Sequence, residues 1–330
     1  MALQTKFCNK ATVIGFGAWG SALAHLLSYN YNHVLIYSNN QARVDEFNNT
    51  SINADYFPDI KMPNNISATT SREDLHKSNI VICAVPTQAT RSAISDFHDI
   101  LSNNTTAPIV VCSKGIEITS AKVLTEVIKE TGITNKLVVL AGPNFAKDIL
   151  QNKNAATTIA SHHDDALDIV ESAFVGKQFS IEKIKDVTGL QLCGAIKNVY
   201  AIGAGIVSGM SNGESFFAAY FKKALEEVQI IIKHLGGQSN TIFSYGGIGD
   251  LLLTCSSKTS RNFSFGYALH KNHDIQPLLQ GKTIEGYYTT QSIYTLLTDA
   301  VIDQLPILDL IYDVIINNKT QSIENIYKII

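Results

Sequence analysis

The run Thr12-Val-Ile-Gly15-Phe-Gly17-Ala-Trp-Gly20 constrains this chain more than any other stretch. A short β-favouring segment enters a glycine turn, and a helical pattern leaves it. That order is the one a dinucleotide's pyrophosphate requires. Gly15 makes the tight turn, and Gly17 lets the backbone approach the phosphates. Gly20 lets helix and strand pack closely, and the helix amino terminus stabilises the negative charge. The bland alternative is a tight turn in an α/β protein that binds no dinucleotide.

The rest of the first half has the matching rhythm. Ala11–Gly15, Val34–Tyr37, Ile80–Val85, Ile109–Cys112 and Leu137–Ala141 read as buried strands. Between them Trp19–Tyr29, Gln41–Asn48, Gln88–Leu101 and Ser120–Thr131 read as helices. Alternating strands and helices mean a parallel sheet covered on both faces. A strand at Ala155–Ala160, a helix at Asp164–Val175 and a strand near Gln178–Ile181 extend this pattern to about Asp186. Beyond it apolar residues recur only at helical spacing: Leu190–Ile206, Phe216–Leu235, the stretch around Leu251, Asn262–His270, Thr289–Asp299 and Ile307–Asn317. The expected fold is therefore α/β, a Rossmann-type mostly parallel sheet domain (1–187) followed by an all-α substrate-binding domain (188–330).

Composition agrees and narrows the function classes. At 330 residues the chain suggests two domains, and 45% hydrophobic with 17% charged residues describes a soluble globular protein. A net charge of -3 without a Lys/Arg block argues against nucleic-acid and polybasic membrane partners. Cys8, Cys83, Cys112, Cys193 and Cys255 show no CxxC spacing, and the histidines complete no ligand set, so neither disulfides nor a metal is expected. The amino terminus lacks a signal-peptide apolar region, and no window reads as long and apolar enough to span a bilayer. A reducing cytoplasm is the expected home.

Which dinucleotide binds is a separate question. An NAD site usually carries an acidic residue after the second strand. Here Val34-Leu-Ile-Tyr37 is followed by Ser38-Asn39-Asn40, with no carboxylate until Asp45. Arg43 lies close enough to meet a 2′-phosphate, a weak lean to NADP; otherwise it is an exposed helix residue. Val85-Pro86-Thr87 and Ser113-Lys114 both follow buried strands, at the sheet edge where ligands bind in open α/β folds.

The second half supplies the chemistry. Lys197 sits in Gly194-Ala-Ile-Lys-Asn-Val-Tyr-Ala-Ile-Gly203, a setting too apolar for a lysine without a purpose or a partner. Desolvation and a second cation lower a lysine's pKa toward the working range, while a carboxylate opposes the shift and orients the ammonium. Lys114 and Asp250 are the candidates for those neighbours; a buried structural ion pair is the alternative. Gly246-Gly-Ile-Gly-Asp250 leads into an apolar run that closes on Ser260-Arg261-Asn262. That trio can donate several hydrogen bonds at a helix start, where a phosphate binds well. A capping Asp250 and a solvated Arg261 are the plainer reading of the same residues.

Taken in order, Gly15-Phe-Gly-Ala-Trp-Gly20, Tyr56-Phe-Pro-Asp59, Ala84-Val-Pro86, Ser113-Lys-Gly115, Ala141-Gly-Pro-Asn-Phe-Ala146, Gly194-Ala-Ile-Lys-Asn-Val199, Gly249-Asp250, Thr254-Cys255, Ser260-Arg-Asn262 and Glu285-Gly286 carry a resemblance. The chain resembles the bacterial NAD(P)-dependent sn-glycerol-3-phosphate dehydrogenases over nearly its whole length. The resemblance implies proton transfer by Lys197, with Lys114 and Asp250 completing the polar centre and Asn198 and Thr254 close by. Substrate contacts would come from Gly142, Asn144, Ser260, Arg261 and Asn262, the last two on its phosphate. Ala18, Trp19, Asn39, Tyr56, Lys114, Ala146, Arg261 and Glu285 would join the three glycines in touching NAD or NADP. Tyr56, Ala146 and Glu285 rest on the resemblance alone. It further implies a cytoplasmic homodimer that supplies glycerol 3-phosphate for phospholipids.

Two departures from the family stand out. Ser215 and Lys222-Lys223 replace an asparagine and a Thr-Arg pair, and Asn39-Asn40 replace a basic pair after the second strand. Reductases of β-hydroxyacids or ketopantoate, whose substrates bring a carboxylate, are the nearest rivals. A dinucleotide sensor without turnover is a rival of another class.

Overall fold

The computed structural model describes residues 10–176, 178–210, 213–272, 274–281 and 283–330. Cys8 and His273 lie outside them. The chain divides into two compact units. The first runs to Ser113 and adds Leu124–Leu140 and Asn144–Lys185; the second holds Lys114–Val123, Ala141–Pro143 and Asp186–Ile330. The single boundary expected after residue 187 thus differs from this division by two short internal segments and by residues 186–187.

The first unit is built on one eight-stranded sheet: β1 (Lys10–Ile14), β2 (His33–Tyr37), β3 (Ile66–Thr69), β4 (Ile80–Cys83), β5 (Ile109–Val111), β6 (Leu137–Ala141), β7 (Ala155–Ala160) and β8 (Phe179–Ile184). The strand order is β3-β2-β1-β4-β5-β6-β7-β8. β1 pairs in parallel with β2 and β4, β2 with β3, β4 with β5, β5 with β6, and β7 with β8. Parallel strands need crossovers, which here carry α1 (Ala18–Leu27), α2 (Gln41–Thr50), α3 (Thr90–Asp96), α4 (His98–Ser102), α5 (Leu124–Glu130), α6 (Ala146–Leu150) and α7 (Asp164–Phe174). Because side chains alternate along a strand, Ile80 and Ile82 of β4 join one apolar cluster while Val81 and Cys83 join another. That is why the central strands β4, β5 and β6 are apolar at every position instead of at alternate ones.

Three sequence expectations change here. Ile66-Ser-Ala-Thr69 is a strand that the apolar pattern did not mark. Gln88–Leu101 is a 3-10 turn and two short helices that break at the buried Phe97. The helix expected from Ser120 begins only at Leu124, because Val123 bridges back to Ile116 in an antiparallel contact.

The second unit is helical: α8 (Val187–Gly209), α9 (Gly213–His234), α10 (Asp250–Ser256), α11 (Arg261–Asn272), α12 (Gln276–Leu279), α13 (Glu285–Leu296), α14 (Asp299–Ile302), α15 (Pro306–Ile315) and α16 (Ile326–Ile329). α8 is buried on all sides, which explains a helix that is apolar all round rather than striped. Contrary to expectation, α8 is long and apolar enough to cross a bilayer, but that stretch lies wholly inside the protein. Its glycines let neighbours come close: a Cβ on Gly205 would overlap the Phe263 carbonyl of α11. α8 starts at Asp186, whose carboxylate accepts from Gly189 N (2.9 Å), Gln238 N (2.7 Å) and Thr241 Oγ1 (2.5 Å). This cap fixes the start of the helix that carries Lys197.

Candidate active site

In the first unit the glycine turn has the form that a pyrophosphate cradle needs. Gly15 has φ +118°, and a Cβ there would lie 2.7 Å from the Ala84 carbonyl oxygen. A Cβ on Gly20 would overlap the Gly15 carbonyl, so α1 can begin directly at the turn only without one. Gly17 faces the opposite condition: nothing lies within 4 Å of where its Cβ would stand. The space above Gly17 is open to a ligand, and the residues present fit a dinucleotide.

Polar side chains hold this turn from behind. Ser21 Oγ donates to Gly17 O (3.0 Å), and Asn53 Nδ2 donates to Ser21 Oγ (2.8 Å). Arg43 Nη2 donates to Phe16 O at 2.9 Å, and its guanidinium lies over the Phe16 ring at 5.0 Å and the Tyr56 ring at 5.6 Å. Arg43 Nε also pairs with Asp55 Oδ2 at 2.6 Å. None of Ser21, Asn53 and Asp55 was marked by the sequence, since each type is ordinary in its local setting. Asn39 is exposed, Tyr56 is about half-exposed, and Ala18, Trp19 and Ala146 are partly buried. Several buried polar atoms have no hydrogen-bond partner among the described residues: Trp19 Nε1, both amide atoms of Asn144, and the hydroxyls of Thr87 and Thr90. Such groups are costly unless something satisfies them, and Trp19 and Asn144 are among the residues expected at ligands.

The second unit brings the expected polar centre together. Lys197 Nζ donates to Asp250 Oδ1 at 2.6 Å and to Thr254 Oγ1 at 2.8 Å. The Thr254 hydroxyl in turn donates to the Asp250 carbonyl at 2.6 Å, one turn back in α10. Lys114 Nζ donates to Asp250 Oδ2 at 2.6 Å and to Gly142 O at 3.1 Å. One carboxylate, 1% exposed, therefore bridges two ammonium groups. An ammonium has three donors, and among the described residues each lysine has partners for two. Burial pulls the Lys197 pKa down to about 8; Asp250 opposes the shift and Lys114 adds to it. An amine with a pKa near the working pH both gives and takes a proton readily.

Asn198, one residue along α8, continues the network. Its Nδ2 donates to Lys114 O (3.3 Å), and its Oδ1 accepts from Asn262 Nδ2 (2.9 Å). Asn262 Oδ1 then accepts from Gly286 N (2.9 Å) at the start of α13, one residue after Glu285. Both asparagines are buried and span the centre to two helix starts. The side chain of Asn262, expected on a phosphate, is thus already engaged at both ends. Ser260 Oγ accepts from Phe263 N (3.3 Å), capping α11. Arg261, the next residue, is exposed and has no hydrogen bond or ion pair among the described residues. It is an open cation at the first turn of a twelve-residue helix.

A buried amine poised to move a proton and an arginine open to an anion, on a chain with a dinucleotide turn, define a dinucleotide-dependent dehydrogenase. Comparison with known proteins narrows the class. Residues 10–167 match the family model for the NAD-dependent glycerol-3-phosphate dehydrogenase N-terminus, and residues 186–325 match that for its C-terminus. A glycerol-3-phosphate dehydrogenase [NAD(P)+] of Neorickettsia sennetsu is 35% identical over 87% of this chain and 85% of its own. That of Halothermothrix orenii is 34% identical over 94% of this chain and 92% of its own. The crystal structure of glycerol-3-phosphate dehydrogenase from Coxiella burnetii superposes with a TM-score of 0.89 at 26% identity, covering 97% of this chain and 99% of that one. The chain belongs to the NAD-dependent glycerol-3-phosphate dehydrogenase family.

Proposed function

We infer that the chain interconverts sn-glycerol 3-phosphate and dihydroxyacetone phosphate with NAD or NADP, and that Lys197 carries the proton. When bound, the nicotinamide would supply or accept the hydride at substrate C2. Gly15, Gly17 and Gly20 would hold the pyrophosphate, with Ala18, Trp19, Asn39, Tyr56, Ala146 and Glu285 along the dinucleotide. In the oxidative direction neutral Lys197 takes the proton of the C2 hydroxyl; in the reductive direction its ammonium returns it. Asp250 and Thr254 aim the amine. Lys114 adds positive charge, which favours the neutral amine and stabilises an oxygen that is becoming anionic. Arg261 binds the phosphate, and Ser260, Gly142 and Asn144 line the substrate. The observation that carries this reading is Lys197: a buried lysine whose pKa burial pulls down to about 8, held by Asp250 and Thr254, with no partner for its third donor among the described residues.

The use we propose is supply of glycerol 3-phosphate to phospholipids by a cytoplasmic homodimer. The test follows loss of reduced-cofactor absorbance with dihydroxyacetone phosphate, for wild type and Lys197→Ala. The variant should keep its fold and dinucleotide affinity and lose turnover by about a hundredfold or more. Near-normal turnover in the variant would sink the mechanism. Wild type that binds a dinucleotide but turns over only a carboxylated ketone would favour the hydroxyacid rivals, and no turnover at all would favour a sensor.

A further inference from the structure

The end of β2 and the first turn of α2 are where folds of this type read the 2′ position of a dinucleotide's adenosine ribose. Here that region is tied directly to the glycine turn. Gly15 N donates to Tyr37 O at 3.2 Å, and Asn40 caps α2 by accepting from Arg43 N at 3.1 Å. Arg43, in the first turn of α2, reaches back to Phe16 O within the glycine turn. It is the residue there with a charge suited to a 2′-phosphate. It is not an open charge, however, because Asp55 Oδ2 holds its Nε at 2.6 Å and Asn53 Oδ1 accepts from its Nη2 at 3.3 Å. Arg261, in contrast, has no such partner among the described residues.

We propose that Asp55 sets the dinucleotide preference of this chain by neutralising Arg43. This rests on the glycine turn being a dinucleotide site. A 2′-phosphate carries close to two negative charges, and it meets an arginine whose charge a carboxylate already balances. The incoming phosphate must share the guanidinium with Asp55 or displace it, and Asp55 repels it meanwhile. A ribose 2′-hydroxyl meets neither cost. Asp55 therefore holds NADP affinity down while leaving NAD almost untouched. The carboxylate is 57% exposed on its side chain, so removing it disturbs recognition more than folding. Arg43 keeps its bond to Phe16 O without Asp55, so the turn that both dinucleotides use stays supported.

The test is direct titration of the folded, cofactor-free protein with NAD+ and with NADP+ by calorimetry, in wild type, Asp55→Asn and Asp55→Glu. Asp55→Asn should tighten NADP+ about tenfold, as expected for exposing one charge-assisted contact, and change NAD+ by less than about twofold. Asp55→Glu should return the ratio of the two dissociation constants toward wild type, because a carboxylate again reaches Arg43. Adding Arg43→Met to Asp55→Asn should erase the NADP+ gain, which shows that the gain passes through Arg43. Should Asp55→Asn melt early, Asp55→Ser at the same position reads the same ratio. An unchanged ratio in a variant that still binds NAD+ overturns the proposal alone. Failure of the folded wild type to bind either dinucleotide overturns both it and the reading beneath it.

Discussion

Replacing Asp250 with asparagine perturbs the site with little change of shape, and its consequences can be worked out from the geometry. The carboxylate accepts from Lys197 and Lys114 at 2.6 Å each, in a position almost closed to water. An amide can still accept from one lysine, but it turns an NH2 toward the other, so donor faces donor. Removing one partner of a buried ion pair costs about 3–5 kcal/mol when the remaining charge has no escape. Lys197 has one, because it can release its proton. Asp250 is the main influence raising its pKa against burial, so without the carboxylate the value falls below about 8. Opposite charges at contact typically shift a pKa by about 1–3 units, and a shift of about 1–2 is expected here.

The assay is the pH profile of kcat/KM in both directions, because that ratio reports ionisations of the free enzyme. In the wild type, oxidation of glycerol 3-phosphate should rise about tenfold per pH unit and level off above about 8, where Lys197 is neutral. Reduction should show the mirror image, falling as pH passes that value. In Asp250→Asn both limbs should move about 1–2 units toward acid. The plateau should also drop, by about a hundredfold, because the amine is no longer aimed. Limbs that stay near the wild-type position in Asp250→Asn would refute the assignment of this ionisation to a lysine held by Asp250.

Two further outcomes follow from buried groups in the second unit. Glu227 of α9 accepts from Ile307 N (2.7 Å), Leu308 N (3.0 Å) and Tyr200 Oη (2.9 Å), and burial still pushes its carboxyl up to about 7 despite those donors. The folded state then holds a proton that the unfolded chain releases, so stability is full in acid and declines as pH rises from the ordinary glutamate range to about 7. Chemical denaturation across that range should show a loss on the order of 3 kcal/mol that Glu227→Gln abolishes; an equal slope in both proteins would exclude Glu227 as its source. Asn262→Leu removes both ends of a bridge, leaving Gly286 N and Asn198 Oδ1 buried without partners. Unfolding free energy should fall by about 2–4 kcal/mol, and a loss below about 0.5 kcal/mol would mean that the bridge contributes nothing.

What the sequence made legible has a common physical character: residue types out of place. Gly15 and Gly20 interrupt a strand-to-helix passage that gains nothing from glycine unless the backbone must turn or approach closely. Lys197 stands in a segment so apolar that its charge needs an explanation, and Asp250 and Lys114 supply one. What stayed hidden are residues at home anywhere. Asn262 is expected on a phosphate from the resemblance, and nothing in the chain announces that its amide also links Asn198 in α8 to Gly286 N at the start of α13. Ile66-Ser-Ala-Thr69 has too few apolar residues to announce a strand and becomes one through its parallel pairing with β2. Lys114–Val123 and Ala141–Pro143 join the second unit although sheet-strand sequence surrounds them, a choice made by packing and not by composition. Asp55 is the clearest case. An aspartate after Asn53-Ala54 gives no sign of function in the chain, yet it pairs with Arg43 at 2.6 Å. The sequence could therefore offer Arg43 as a reason to lean toward NADP, and only the fold reveals the carboxylate that weighs against it.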